Sequence, residues 1–167
     1  MRPGDVYFHN DVYLSEGGIG HLPDLCVTAP VFHDGRVVAF VQAFGHHDDI
    51  GGTVPGSMPS HATSVFEEGL MVPPIRLWHA GEPNDAALKI MTRNSRMPES
   101  LAADLDAECS ACLMGARRLA ELFARYGRSA ATRGPEPGGP VPDLPVRGLP
   151  RRTDAAGPPE AAGKREP

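Results

Sequence analysis

The chain has 167 residues, of which 41% are hydrophobic and only 6% aromatic, and its formal net charge is −5. Its 19 glycines and 18 prolines exceed ordinary usage, which indicates that part of the chain does not belong to a packed core. The acidic balance argues against a nucleic-acid-binding protein, and the sequence has neither a membrane-length apolar run nor a signal-peptide pattern. We therefore expect a soluble, cytoplasmic protein with one domain of ordinary size.

The composition changes near residue 127. Residues 127–167 hold 9 prolines and 7 glycines and no aromatic residue. Such a segment cannot bury enough apolar area to offset the entropy that is lost when a chain becomes ordered. We expect a folded domain over residues 1–127, followed over residues 128–167 by a Pro/Gly-rich tail that is either disordered or translated out of frame.

The folded part is predicted to be α+β, with a small antiparallel sheet followed by helices. The strongest local signal is a pair of apolar runs over residues 25–32 and 37–44, separated by a turn at Asp34-Gly35. Asp-Gly between two such runs favours a β-hairpin with a two-residue turn. A shorter strand is predicted over residues 5–9.

The helices are predicted from capping residues and from apolar periodicity. A short helix over residues 64–70 and a helix over residues 85–94, capped by Asn84, precede the longest element. Over residues 98–126 apolar side chains recur at three- and four-residue steps, which predicts one long helix that ends at Gly127. In this helix we expect three residues to be buried (Leu105, Leu119 and Phe123) and three to be exposed (Arg117, Arg118 and Glu121).

The two-residue turn also predicts which residues face each other at the open end of the hairpin. Paired residues should have numbers that sum to 69, so that Asp24 faces Gly45 and Pro23 faces His46. Pro30 is compatible with this register if the first strand is an edge strand, or is at least unpaired on its outer side at that point.

Histidine and carboxylate side chains collect at the same open end. His21 and Asp24 form a His-x-x-Asp pair, and His46 lies at the end of the neighbouring strand. Two histidines and one carboxylate suit Fe, Mn or Zn, and such a set leaves coordination positions open for catalysis. These residues are also typical of a solvated turn, and the local sequence leaves both interpretations open.

Five longer motifs follow one another between residues 2 and 127: HLPD, HxDIGG, PGSMP, ATSVFEEG and VPP. Their order and spacing resemble those of the hydantoinase B/oxoprolinase family. The resemblance implies a subunit that works with a hydantoinase A-type partner subunit, which binds ATP. Together they would open a cyclic amide such as a hydantoin or 5-oxoproline, and related complexes carboxylate acetone or acetophenone.

The resemblance also implies roles for particular residues. In the acetone carboxylase branch, the B-type subunit is expected to hold a divalent metal through a His-x-x-Asp pair and a downstream histidine. These positions correspond to His21, Asp24 and His46. Asp49 is a candidate catalytic base or orienter of the ligands, and the alternative is that its carboxylate caps a turn.

Other positions either follow the family pattern or depart from it. Asn10 and Asp11 lie in a motif that resembles Asn-Asp-Pro-Tyr, and they are expected to shape the same pocket. Val12 replaces the usual proline of that motif, and His61 stands where aspartate is usual, which puts any role of that carboxylate in doubt. The pair Glu67-Glu68 is interpreted as a charge pair at the start of a helix.

Family members are several times longer than this chain, so we expect a fragment that is truncated at both ends. Three functions remain open for it. The chain is descended from a cyclic amidase subunit, or from a ketone carboxylase subunit, or it is a non-catalytic remnant. Such a remnant would at most bind a metal or the A-type partner.

Overall fold

A computed structural model describes residues 1–127 of the chain, and the prediction for the tail over residues 128–167 lies outside the described part. The described elements are five strands and two long helices. The strands are β1 (Val6–His9), β2 (Asp24–His33), β3 (Arg36–His46), β4 (Ile75–His79) and β5 (Glu82–Pro83). The helices are α1 (Asp85–Asn94) and α2 (Pro98–Tyr126).

The strands form one antiparallel sheet in the order β3-β2-β1-β4-β5, and both helices follow all five strands. This arrangement confirms the predicted α+β class. One core joins the sheet to the helices, because apolar residues of α2 share it with residues of β1 and β2. Its most buried members are Val6, Phe8, Leu22, Leu25, Val27, Ala29, Leu77, Leu105, Cys109 and Cys112.

The hairpin of β2 and β3 has the predicted turn. Asp34 and Gly35 both have positive φ angles, of 49° and 71°, as a two-residue turn that matches the twist of the strands requires. The strands extend the predicted ranges of 25–32 and 37–44 by at most two residues at each end. The hairpin prediction is therefore confirmed.

The predicted register of the hairpin is wrong by one residue along most of its length. Phe32 pairs with Val37 as predicted, but Val31 pairs with Ala39, so Val38 is an extra residue that forms a β-bulge. From this bulge to the open end every pair is shifted, and Asp24 faces His46 instead of Gly45. Because alternate residues of a strand point to opposite faces, the bulge places Asp24 and His46 on the same face of the sheet.

Of the two alternatives predicted for β2 at Pro30, a strand at the edge of the sheet is wrong, and a strand that is unpaired on its outer side at that point is confirmed. β2 lies between β3 and β1, and Pro30 faces Phe40. β1 is short, however, and its pairing with β2 covers only residues 26–28. Pro30 therefore lies beyond that ladder, where a missing N–H costs no hydrogen bond to β1.

The helices follow the predicted bounds closely. Asn84 caps α1 by accepting a hydrogen bond from the Ala87 N–H at 3.2 Å. In α2, Phe123 is buried as predicted, together with Leu105, but Leu119 is only half-buried, because it does not pack against the core that joins the sheet and the helices. The three residues predicted to be exposed are exposed: Arg117, Arg118 and Glu121. Within residues 1–127, neither long helix combines the length and the hydropathy that a membrane span requires.

The predicted helix over residues 64–70 is a single 3-10 turn at Val65–Glu67, with Ser64 as its cap. Its C-terminal side lies against the loop that follows Ile50, since the Leu70 N–H donates to the Ile50 carbonyl at 3.1 Å. Gly69 permits this close approach: it has a φ of 136°, and a Cβ there would lie 2.6 Å from the Ile50 oxygen.

We expect Gly69→Ala to destabilise the domain by about 3 kcal/mol, because it adds a backbone clash to the strain of a positive φ. Gly81→Ala is the matched control, since Gly81 also has a positive φ (93°) but an added Cβ would meet nothing within 4 Å. That control should cost about 1 kcal/mol. Urea unfolding followed by circular dichroism measures both values, and equal losses would contradict the role of the close approach.

Candidate metal centre

The structure brings together the three residues that the sequence proposed as metal ligands. His21 Nε2 lies 2.9 Å from Asp24 Oδ1, and His46 Nδ1 lies 3.2 Å from each of these two atoms. The two imidazole rings stack with centroids 4.9 Å apart. Within residues 1–127 this is the one group of three or more His, Cys, Asp or Glu residues with such convergent atoms.

The spacing of the three atoms fits one divalent ion. Nitrogen and oxygen ligands at about 2.0–2.2 Å from an ion are about 2.8–3.6 Å apart when the angles lie between octahedral and tetrahedral. All three distances fall in this interval. The site is also open on one side, because 45% of the His46 side chain is exposed, against 28% for His21 and 18% for Asp24. The donor set therefore fits Mn, Fe or Zn with room for a further ligand.

Two of these residues are placed by the sheet and one by a turn. Asp24 and His46 are a cross-strand pair at the end of the hairpin. His21 precedes β2 in a turn in which the Asp24 N–H donates to the His21 carbonyl at 3.3 Å. The His47 N–H donates to the Pro23 carbonyl at 2.9 Å, which extends the contact between the two chain segments past the last strand pair.

The turn that carries His21 is held through the backbone of Leu22. The Leu22 N–H donates to Glu68 Oε2 at 2.8 Å, and the Leu22 carbonyl accepts from Asn10 Nδ2 at 2.8 Å. Asn10 is buried, and it also binds the Leu70 carbonyl and the Val72 N–H. Asn10 is thus joined to the turn that carries His21.

Asp11, the neighbour of Asn10, has a local role in the structure. Its Oδ1 accepts hydrogen bonds from the Tyr13 and Leu14 N–H groups at 2.9 and 3.0 Å. These bonds cap the turn that comes after β1. They do not involve any of the three candidate ligands.

Asp49 lies on the loop after His46 and is buried. Its carboxylate accepts hydrogen bonds from the N–H groups of Gly51, Gly56 and Arg96 and from the Arg96 guanidinium, at 2.9–3.0 Å. Burial alone would raise the pKa of Asp49, but these hydrogen bonds outweigh it and lower the pKa to about 2. The carboxylate is therefore ionised and fully engaged at neutral pH.

The comparison with protein families decides the relationship that the motifs suggested. The family model for hydantoinase B/oxoprolinase matches residues 1–134, which is most of the chain. The chain belongs to the hydantoinase B/oxoprolinase family. Its sheet and its two helices are therefore those of a hydantoinase B segment.

Individual relatives of this chain are much longer than it is. The caprolactamase subunit beta of Pseudomonas jessenii is 38% identical over 128 residues, which are 76% of this chain and 21% of the relative. The acetophenone carboxylase delta subunit of Aromatoleum aromaticum is 36% identical, over 79% of this chain and 19% of the relative. The chain thus spans about a fifth of the length of these curated relatives.

A solved structure agrees with the fold. The crystal structure of ATP-dependent caprolactamase from Pseudomonas jessenii superposes with a TM-score of 0.72 at 35% identity, and the match covers 79% of this chain and 23% of that chain. The two curated relatives are subunits of larger enzymes, a caprolactamase and an acetophenone carboxylase. The chain is accordingly related to components of multi-subunit enzymes.

The sequence interpretation missed the role of Glu68. It assigned Glu67 and Glu68 together to the start of a helix, but only Glu67 caps the 3-10 turn, by accepting from Thr63 and Ser64. Glu68 points to Leu22, which is 46 residues earlier in the chain. No local pattern marks such a contact, because both groups belong to segments without regular structure.

The remaining histidines of the hairpin lie away from the three ligands. His47 points to the side opposite His46, is almost fully buried and lies 3.3 Å from Glu108 Oε1 of α2. Strict alternation along a strand could have indicated this separation of the two adjacent histidines. His33 lies at the turn, where its ring stacks on Phe123.

Proposed function

We propose that this chain supplies the metal-binding part of a B-type subunit that opens a cyclic amide, of the hydantoin or 5-oxoproline type, in an ATP-dependent reaction. The A-type partner would bind the ATP. The observation that carries the proposal is the two-histidine, one-carboxylate group of His21, Asp24 and His46 in a chain that is similar to a caprolactamase subunit.

In this proposal His21, Asp24 and His46 hold one divalent ion, of Mn, Zn or Fe. The bound ion would act as a Lewis acid on the carbonyl oxygen of the amide. Asp24 contributes the single negative charge of the set, and exposed His46 borders the open side from which a carbonyl group can approach. No described element covers this part of His46, so a substrate could reach it from solvent.

We propose a positioning role for Asp49, which the sequence named as a catalytic candidate. A general base needs a free lone pair and a pKa near the working pH. Asp49 has a pKa of about 2 and four hydrogen-bond donors around its carboxylate. Its contribution to the site would be to fix the loop that comes after His46.

Two other functions remain as candidates for this chain. The similarity to the acetophenone carboxylase delta subunit favours carboxylation of a ketone as the second candidate reaction. The third candidate is a non-catalytic chain that binds a metal or the A-type partner. The first two candidates share the metal site, and they differ in the reaction that the bound ion assists.

A reconstitution experiment separates these functions. The purified chain would be combined with Mn²⁺ or Zn²⁺, an A-type subunit and ATP, and then offered hydantoin or 5-oxoproline, or acetophenone with bicarbonate. We expect ring-opened product and ADP, dependent on every component. Carboxylated ketone instead would favour the second candidate, and bound metal or partner without either product would favour the third.

A further inference from the structure

The three candidate ligands are not held equally well by the fold. Asp24 and His46 sit on paired strands, whose backbone hydrogen bonds fix their positions. His21 lies outside the strands, so its position depends on what holds the turn formed by residues 21–24. The contacts of Leu22, the next residue, therefore decide where the His21 imidazole lies.

Leu22 is fully buried, and its N–H has Glu68 as its acceptor at 2.8 Å. A buried N–H without an acceptor is costly, about 1–3 kcal/mol, so loss of the Glu68 carboxylate would drive this turn to rearrange. The Asn10 bond to the Leu22 carbonyl would remain, but the Leu22 N–H, on the side of His21, would have lost its side-chain acceptor.

The backbone around Glu68 is held by hydrogen bonds of its own. Its own N–H donates to the Val65 carbonyl at 3.0 Å, and Glu67 before it and Leu70 after it are bonded to the loop after β3. There the Thr53 N–H donates to the Glu67 carbonyl at 2.9 Å, and the Leu70 N–H donates to the Ile50 carbonyl at 3.1 Å. These bonds hold the backbone at Glu68, so its carboxylate can hold the turn of residues 21–24 through the Leu22 N–H.

We propose that Glu68 is a positioning residue for His21, and through His21 for the metal centre. This inference rests on the proposed metal site. Glu68 is not one of the three candidate ligands, and it acts on His21 by accepting a hydrogen bond from the Leu22 N–H, 46 positions earlier in the chain. Groups that orient metal ligands typically change metal affinity about 10- to 100-fold when they are removed.

The first test measures Mn²⁺ affinity of the full 167-residue chain by titration calorimetry. Glu68→Ala should bind about 10- to 100-fold more weakly than the parent. Glu68→Gln keeps an acceptor oxygen and should restore most of the affinity. Glu67→Ala is the matched control, because the Glu67 side chain bonds only to Thr63 and Ser64, and it should bind like the parent. Equal losses from Glu67→Ala and Glu68→Ala, or none from Glu68→Ala, would overturn the proposal.

The second test needs no metal. In the metal-free chain the stacked His21 and His46 rings, with centroids 4.9 Å apart, should give nuclear Overhauser effects between their ring protons. These should persist in Glu67→Ala and Glu68→Gln and vanish in Glu68→Ala. Should Glu68→Ala fail to fold, Glu68→Asp keeps the charge but shortens the side chain, and it should lose the same signals.

The two readouts separate the failure of this inference from the failure of the proposed function. If the parent binds no Mn²⁺ but the ring signals depend on Glu68 as expected, the metal function is refuted and the positioning role stands. If the ring signals survive in both Glu68→Ala and Glu68→Asp, the positioning role is refuted, whatever the affinity of the parent.

Discussion

His21→Ala, Asp24→Ala and His46→Ala should each reduce Mn²⁺ or Zn²⁺ uptake by the chain more than about 100-fold, since even residues that only orient ligands change affinity about 10- to 100-fold. Each substitution removes one of three convergent atoms that lie 2.9–3.2 Å apart. Two remaining ligands cannot reproduce an open three-ligand site. Equilibrium dialysis with metal analysis measures the loss.

The control for this series is His33→Ala. His33 lies at the opposite end of the same hairpin, against Asp34 and Phe123, so its replacement should leave metal uptake unchanged. Uptake by the parent should also fall in acid, because metal binding needs neutral imidazoles and an ionised carboxylate. The assignment fails if all four variants lose uptake equally, or if the three ligand variants lose none.

Asp49→Ala should destabilise the domain by about 3 kcal/mol, a large part of the stability of a domain of this size. The substitution leaves three backbone N–H groups without their acceptor and removes the carboxylate partner of the Arg96 guanidinium. Asp49→Asn should be milder, because the amide can accept some of these bonds but has no charge for Arg96. Urea unfolding at neutral pH gives both values.

The same carboxylate predicts a pH dependence of the free energy of unfolding. The pKa of Asp49 is about 2 in the folded chain, against an ordinary value of 3.8. Its contribution is therefore fully present above about pH 4 and is lost as the pH falls towards 2, because the unfolded chain takes up the proton first. A difference of this size corresponds to about 2 kcal/mol, which the parent should lose in this interval and Asp49→Asn should not.

Asp48→Asn is the matched control for Asp49. The Asp48 side chain is exposed. The hydrogen-bond donors of Gly51, Gly56 and Arg96 bind the Asp49 carboxylate and not that of Asp48. In this control, the free energy of unfolding at neutral pH should be close to that of the parent. Its decrease below about pH 4 should also be the same as in the parent. If the free energy of unfolding falls equally below about pH 4 in the parent and in Asp49→Asn, the acid sensitivity does not come from Asp49.

The sequence by itself determined the elements whose signals are local. Asp34-Gly35 fixes the turn through positive φ angles that these two residues tolerate well, so the hairpin bounds were correct within two residues. The apolar repeat of α2 is likewise a property of neighbouring residues on one helix. The candidate ligands were within reach of sequence reasoning because His21, Asp24 and His46 lie near the open end of that hairpin.

Only the tertiary structure decided how these ligands meet. The bulge at Val38 has no glycine to mark it, and it shifts the register so that Asp24 faces His46 on one face of the sheet. The contacts of Glu68 with Leu22 and of Asp49 with Arg96 join residues 46 and 47 positions apart. Such contacts depend on how separate segments pack against one core. Neither periodicity nor spacing along the chain indicates from which distant donor a carboxylate will accept a hydrogen bond.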